Sequence, residues 1–224
     1  MSEQPTAPTA SREGELVVLD LGDGENRLNA DWVEAVEAAL QEAEGLEAPR
    51  ALVTVASGKF WSNGLDLDWM AANGEQVEAF MERVHGVFAA FLGSGVPTVA
   101  AVQGHVFAAG AMFAVAHDQI VMREDRGFFC LPEVDIRLPF TPGMNALLRS
   151  RLSPAVAHDA MTTARRYGGA EAAAAGIAAA AVPEDRVREE AFERARARAG
   201  SDPATLAAIK QRLYAEALAT LRGS

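Results

Sequence analysis

Two stretches constrain this chain more than any other: Ser57-Gly58-Lys59-Phe60-Trp61-Ser62-Asn63-Gly64-Leu65-Asp66-Leu67 and Ala101-Val102-Gln103-Gly104-His105-Val106-Phe107-Ala108-Ala109-Gly110-Ala111-Met112. Each follows an apolar run of strand type, turns on small residues and opens a segment with helical patterning. A turn of that kind leaves backbone N–H groups with no intrahelical acceptor. Two such groups aimed at one point make an oxyanion hole, so the pattern predicts chemistry on a carbonyl oxygen.

The runs that feed the two turns are Ala51–Ala56 and Pro97–Val102, short and β-rich as buried strands are. Pro97 stands at a strand's first position, where a missing N–H is tolerated. Glu15–Leu21 reads as a further strand ended by Gly22-Asp23-Gly24, and Gln119–Arg123 as another. Trp32, Val33, Val36, Ala39 and Leu40 recur at helical spacing through Glu44, behind a cap at Asn29 or Asp31. The Lys59–Leu67 segment reads as a loop. It leads into a short helix near Leu67–Ala72 and a longer one from about Glu75 to Leu92, and Ala109–His117 reads as a buried helix. From Pro142 on, Ala, Arg and Glu dominate, and helices are predicted over Gly143–Arg151, Pro154–Thr163, Gly169–Ala175, Pro183–Ala199 and Pro203–Leu221. Gly176-Ile177 and Val182-Pro183 break the alanine-rich run Ala172–Ala181 as a packed turn would. Strands alternating with helices, then a helical tail, predict an α/β core over residues 14–150, with 151–224 a helical extension of the same domain. Residues 1–13 are polar and Pro-rich with no apolar core, and are expected to form a disordered tail without a leader.

A chain of 224 residues can bury one substantial core, and a net charge of -11 argues against a general nucleic-acid binder. The single cysteine, Cys130, permits no internal disulfide, reads as a small apolar packing residue and fits an intracellular, cytoplasmic setting. The longest apolar runs, Val87–Leu92 and Val96–Val102, are interrupted and too short to span a membrane. No His/Cys/Asp cluster has metal-ligand spacing, and no nucleophile elbow, Walker or dinucleotide-binding glycine pattern occurs.

Taken in order, the motifs resemble those of the crotonase superfamily, the enoyl-CoA hydratases and isomerases, from about Glu15 to Val182. SGKFWSNGLDL is similar to the family's first oxyanion motif and AAVQGHVFAAGAMFAVAHDQIVM to its second. Phe128-Phe129-Cys130-Leu131-Pro132-Glu133-Val134-Asp135-Ile136 is similar to the segment that carries a catalytic glutamate. A closer likeness, to plant-type peroxisomal 3-enoyl-CoA isomerases, rests on three segments: Gly22-Asp23-Gly24-Glu25-Asn26-Arg27-Leu28-Asn29, Gly58-Lys59-Phe60 with Ser62-Asn63-Gly64, and Arg123-Glu124-Asp125-Arg126-Gly127-Phe128. The resemblance implies a crotonase-like spiral of β-β-α turns with a helical C-terminal region that builds homotrimers, often paired into hexamers. It implies an acyl-CoA thioester as substrate, coenzyme A being part of that substrate and not a separate cofactor, and no metal.

Carried onto this chain, the resemblance places the two oxyanion N–H groups at Leu65 and Ala109. Gly64 lets the first turn close, and Ala109 sits at a helix mouth whose dipole favours negative charge. Glu133 aligns with the catalytic glutamate, and its apolar neighbours should raise its pKa toward neutrality. Met112 stands where hydratases of the family carry a second glutamate. Methionine can neither activate water nor move a proton, so one carboxylate is left. One carboxylate can take a proton from C2 and return it at C4, which is a shift of the double bond from 3-enoyl to 2-enoyl thioester. That favours an isomerase over the alternatives: hydratase, decarboxylase, thioester hydrolase or a non-catalytic acyl-CoA binder. Met112 also reads as a wall of the acyl pocket, whose depth depends on Met70, Met81, Phe88, Met112 and Phe140. Arg27 and Lys59 lie where the family approaches the nucleotide, with the Asn63 and Leu65 backbone toward adenine and pantetheine. Lys210, on the last helix, offers a cation to the 3′-phosphate of a neighbour's ligand. Asp135 would share Glu133's side of an extended segment, a salt bridge to Arg137 or a solvent-facing role being the favoured reading. Asp66 reads as a helix cap and His105 as a loop histidine bonded to backbone.

Overall fold

The structure is a computed structural model and describes residues 7–223. Its strands are β1 (Thr9–Glu13), β2 (Leu16–Asp20), β3 (Ala51–Val55), β4 (Phe60–Ser62), β5 (Thr98–Val102), β6 (His105–Phe107), β7 (Gln119–Arg123), β8 (Phe129–Cys130) and β9 (Ala180–Val182). Its helices are α1 (Ala30–Gly45), α2 (Leu67–Ala72), α3 (Val77–Gly93), α4 (Ala109–Ala116), α5 (Glu133–Ile136), α6 (Pro142–Arg151), α7 (Pro154–Thr163), α8 (Gly169–Ala174), α9 (Glu184–Arg196), α10 (Pro203–Leu213) and α11 (Ala215–Leu221).

A six-stranded sheet runs in the order β1-β2-β3-β5-β7-β9, and a three-stranded sheet in the order β4-β6-β8. Among the described strands only the β1–β2 pair is antiparallel. Three passes of the chain (β3 to β4, β5 to β6 and β7 to β8) each place one strand in the large sheet, turn, place a short one in the small sheet and go on into helix. This is the β-β-α spiral that the family resemblance implied. Alternate side chains of the large sheet feed two apolar layers. Leu16, Val18, Val53, Val99, Ala101 and Val121 pack under Val187, Ala191, Phe192 and Ala195 of α9. Val17, Leu19, Leu52, Ala100, Val102, Ile120 and Met122 face the main core with α1, α3 and α4. Cover on both faces explains why the central strands read as continuous apolar runs.

The tail expected over 1–13 is ordered from Thr9. Residues 9–13 form β1, whose side chains are all exposed, so no apolar pattern announced it. It is held by backbone pairing to β2 and by Glu13 on Arg188 at 2.6 Å. The part of that tail over 1–6 lies outside the described residues. The Lys59–Leu67 loop contains β4, and β6, β8 and β9 are likewise too short to carry a period-2 signal. The helix read over Pro203–Leu221 is two, divided at Tyr214, whose hydroxyl is 2.7 Å from an Arg151 guanidinium nitrogen. Asn29, and not Asp31, caps α1 by accepting from the Trp32 N–H at 3.0 Å.

Candidate active site

The first turn is stapled by residues 26–28. The Asn26 amide donates to the Phe60 and Trp61 carbonyls at 3.1 Å each, and Ser62 Oγ donates to the Asn26 carbonyl at 2.8 Å. Leu28 N–H donates to the Gly64 carbonyl at 2.8 Å and Asp66 N–H to the Leu28 carbonyl at 2.9 Å. The Leu65 N–H lies between these two bonds and has no acceptor among the described residues. Asp66 caps α2 through the Trp69 N–H at 3.0 Å, as its position predicted.

The second turn bends at Ala108, which takes φ 50° and ψ −127° just before α4. That backbone conformation suits glycine and costs an alanine about 1–3 kcal/mol. Ala108 is anchored by its N–H on the Cys130 carbonyl at 3.1 Å, and its own carbonyl accepts from Met112 N–H at 3.1 Å. Ala109 opens α4, and its N–H also has no acceptor among the described residues. The two turns interlock. A methyl on Gly110 would meet Ser62 Oγ at 2.5 Å, and one on Gly64, at φ +87°, would stand 3.3 Å from Ala109 N.

Glu133 heads α5, directly after Pro132, with only 6 % of its surface exposed. Its Oε2 is buried without a hydrogen-bond partner among the described residues. Loss of solvation pushes the carboxyl up to about 7, against a smaller lowering by its own backbone hydrogen bond. Asp135 does not sit beside it. The segment is one turn of helix and not extended chain, so residues two apart point to different sides. Asp135 is exposed and makes no ion pair with Arg137 among the described residues.

These groups meet in one pocket of about 180 Å³, lined by Asn63, Leu65, Ala109, Met112, Glu133 and Phe140, together with Leu67, Phe107, Ile136, Leu138 and Met144. Among the described residues Glu133 is the only ionisable side chain in that lining, and Met112, 1 % exposed, forms part of its wall. Of the other proposed depth-setting residues, Met70, Met81 and Phe88 do not line it; Phe88 is fully buried in the core. Ile136, Leu138 and Met144 were missed because a pocket lining has no sequence period. Thr141-Pro142, a cap followed by a first-turn proline, was a readable sign of where α6 starts.

The expected cations lie outside the lining. Arg27 is tied to Glu25 at 2.5 Å and Asp68 at 3.0 Å. Lys59 is exposed, its ammonium 5.0 Å from the Phe60 ring centre. Lys210 is not free to reach a neighbour: it is 4 % exposed, paired with Asp118 at 2.8 Å and donating to the Phe91 carbonyl at 3.1 Å. A long apolar stem buried under α3 needs its charge paired, and Asp118 supplies the partner. His105 lies on β6, and its ring Nδ1 is buried with no partner among the described residues, where a side-chain bond to backbone was expected. Cys130 is 3 % exposed and donates weakly to the Ala164 carbonyl at 3.3 Å. Among the described residues no group of three or more His, Cys, Asp or Glu is placed to hold a metal.

A β-β-α spiral that brings two unengaged strand-to-helix N–H groups and one buried carboxyl into a single pocket defines a crotonase-type protein. Residues 13–222 match the enoyl-CoA hydratase/isomerase family, and the chain belongs to it. It is 35% identical over 178 residues to the peroxisomal enoyl-CoA delta isomerase 2 of Arabidopsis thaliana, spanning 75% of this chain and 74% of that protein. It is also 35% identical over 166 residues to the carnitinyl-CoA dehydratase of Escherichia coli K12, spanning 72% and 61%. Among solved structures, the apo enoyl-CoA isomerase of Mycobacterium tuberculosis superposes with a TM-score of 0.87 at 26% identity, covering 96% of this chain and 94% of that one. An enoyl-CoA hydratase from Mycobacterium marinum gives 0.87 at 25% identity, covering 97% and 96%.

Proposed function

We propose that this protein shifts the double bond of a 3-enoyl-CoA to give the trans-2-enoyl-CoA. The observation that carries the reading is the composition of the pocket: one carboxyl, Glu133, and a methionine, Met112, where a second acid would be needed to activate water. The thioester oxygen accepts from the Leu65 and Ala109 N–H groups, which concentrates the charge of the enolate on preorganised donors. The Glu133 carboxylate removes a proton from C2. The electron pair moves through the former double bond, and the protonated Glu133 delivers the same proton to C4. A carboxyl held near 7 serves both halves of that cycle, since neither its acid nor its base form is strongly disfavoured at neutral pH. The plant relatives named as isomerases support this assignment.

The coenzyme A portion enters past Asn63 and Gly64, with the exposed Lys59 available to its phosphates. Arg27 acts there only if it exchanges a carboxylate partner for phosphate. No further cofactor is needed for this proton transfer. Assembly into trimers or hexamers is part of the proposal, and Ile209 and Leu213, 55% and 66% exposed on α10, offer an apolar edge for it. No described helix is long and apolar enough to cross a membrane, and we place the protein in the cytoplasm.

The test is a spectrophotometric comparison of 3-hexenoyl-CoA and crotonyl-CoA. The proposal expects 2-enoyl absorbance to grow with the first and to persist with the second. Loss of absorbance from crotonyl-CoA, with no gain from 3-hexenoyl-CoA, would make the protein a hydratase instead.

A further inference from the structure

We propose that His85, which does not line the pocket, is a positioning residue that sets how strongly the pocket discriminates acyl chains by length. The inference rests on reading that pocket as an acyl-CoA site. His85 lies on α3, and its Nε2 is 2.9 Å from Thr141 Oγ1. Thr141 is the N-cap of α6, and the same oxygen accepts from the Met144 N–H at 3.2 Å. The hydroxyl gives a lone pair to Met144 and has its proton left for an imidazole nitrogen. Burial lowers the His85 pKa, which keeps the ring neutral and able to accept that proton.

The residues flanking this junction, Phe140 and Met144, both face the pocket. The segment that leads to it rests on α7 through α5, but its apolar side chains stay half open to solvent. Val134, Ile136 and Leu138 are 49%, 50% and 43% exposed, and Arg137 turns the chain in the left-handed region at φ 58°. The end of that segment runs into the start of α6, and His85 links that start to α3. Removing the imidazole leaves the Thr141 cap on Met144 intact but frees the hydroxyl to rotate. The wall carrying Phe140 and Met144 then loosens, while the turns at Leu65 and Ala109 stay as they are.

The experiment is calorimetric titration of butyryl-, hexanoyl- and decanoyl-CoA into the full-length protein and into His85→Ala, His85→Gln and Thr141→Ala. The expected result is a fall of roughly five- to tenfold in the decanoyl-to-butyryl affinity ratio for His85→Ala, the worth of about one hydrogen bond, and a fall at least as large for Thr141→Ala, which loses the cap on Met144 as well. Butyryl-CoA affinity stays unchanged, and His85→Gln, which can still accept from the hydroxyl, recovers most of the ratio. Thr141→Ala reports on the same bond should His85→Ala not fold. Affinity profiles parallel to that of the unmodified protein, or an equal loss at every length, would overturn the role of His85 alone. Failure of the unmodified protein to bind any acyl-CoA would overturn the acyl-CoA reading, and the role of His85 with it.

Discussion

Gly64 and Ala108, on different turns of the spiral, stand so close that a methyl built on Gly64 would lie 2.9 Å from the Ala108 Cβ. Gly64 also holds φ +87°, a conformation a side chain adopts only under strain. Gly64→Ala is therefore expected to push the two turns apart. Urea unfolding should show a loss of about 1–3 kcal/mol, and kcat should fall by about 10²–10³ as the two N–H groups cease to converge. A variant with unchanged kcat would mean that the contact does not hold the site.

The opposite substitution acts on the other partner. Ala108→Gly removes strain of about 1–3 kcal/mol at φ 50° but gives back about 0.5–1 kcal/mol through the more flexible unfolded chain. Net stability should rise by up to about 2 kcal/mol, read as a higher unfolding midpoint in urea, while kcat falls because the Ala109 N–H is less firmly aimed.

Burial of Glu133 makes stability depend on pH in a defined direction. Its folded pKa of about 7 lies above the ordinary carboxyl value of 4.5, so between these pH values the folded state holds the proton more tightly. Stability is therefore lost as pH rises through that window, because an ionised carboxylate must then stay buried. Glu133→Gln removes this loss. Its stability relative to the unmodified protein should be about 2–3 kcal/mol greater near pH 8 than near pH 4.5, measured by urea unfolding at both values. A difference that does not change with pH would show that Glu133 is solvated.

Met112→Glu tests the reaction type. It places a second carboxyl in a pocket whose only ionisable side chain is Glu133. Two carboxyls there cannot both ionise freely, so the pH at which activity rises should move upward. Measurable hydration of crotonyl-CoA should appear alongside a weakened double-bond shift. Absence of any hydration in a folded variant would show that more than one missing acid separates the two activities.

Lys210→Met tests whether the Lys210 ammonium serves its own chain or a ligand. It leaves Asp118 without its ammonium partner, and a loss of about 2–4 kcal/mol in urea unfolding is expected. KM for acyl-CoA should stay within about twofold, since the Lys210 charge is spent inside its own chain. A large rise in KM with little loss of stability would restore the phosphate-binding role.

Much of this was legible in the sequence because the two decisive turns announce themselves: apolar strand, small residues, helix. The meeting of Leu65, Ala109, Met112 and Glu133 in one pocket was what the family resemblance of the motifs implied, and not something their spacing alone could show. Strand β1 was hidden because an edge strand with every side chain in solvent needs no apolar residue. Lys210 was misread for a related reason. A basic residue on an amphipathic helix looks solvated until the partner acid, Asp118, some ninety residues away, is brought beneath it by the fold. Asp135 faces solvent, as one of its two favoured readings had it, but the segment around it is helix and not extended chain, because one turn of helix after a proline gives no periodicity to read.

The most direct measurement of the central claim is turnover of 3-hexenoyl-CoA by Glu133→Gln beside its affinity for hexanoyl-CoA. Glutamine keeps the shape of the side chain and cannot carry the proton. The account predicts that conversion falls by at least about 10³ while hexanoyl-CoA binds within about threefold of the unmodified protein. Isomerisation at more than about a tenth of the original rate would contradict it, because some other group would then be moving the proton.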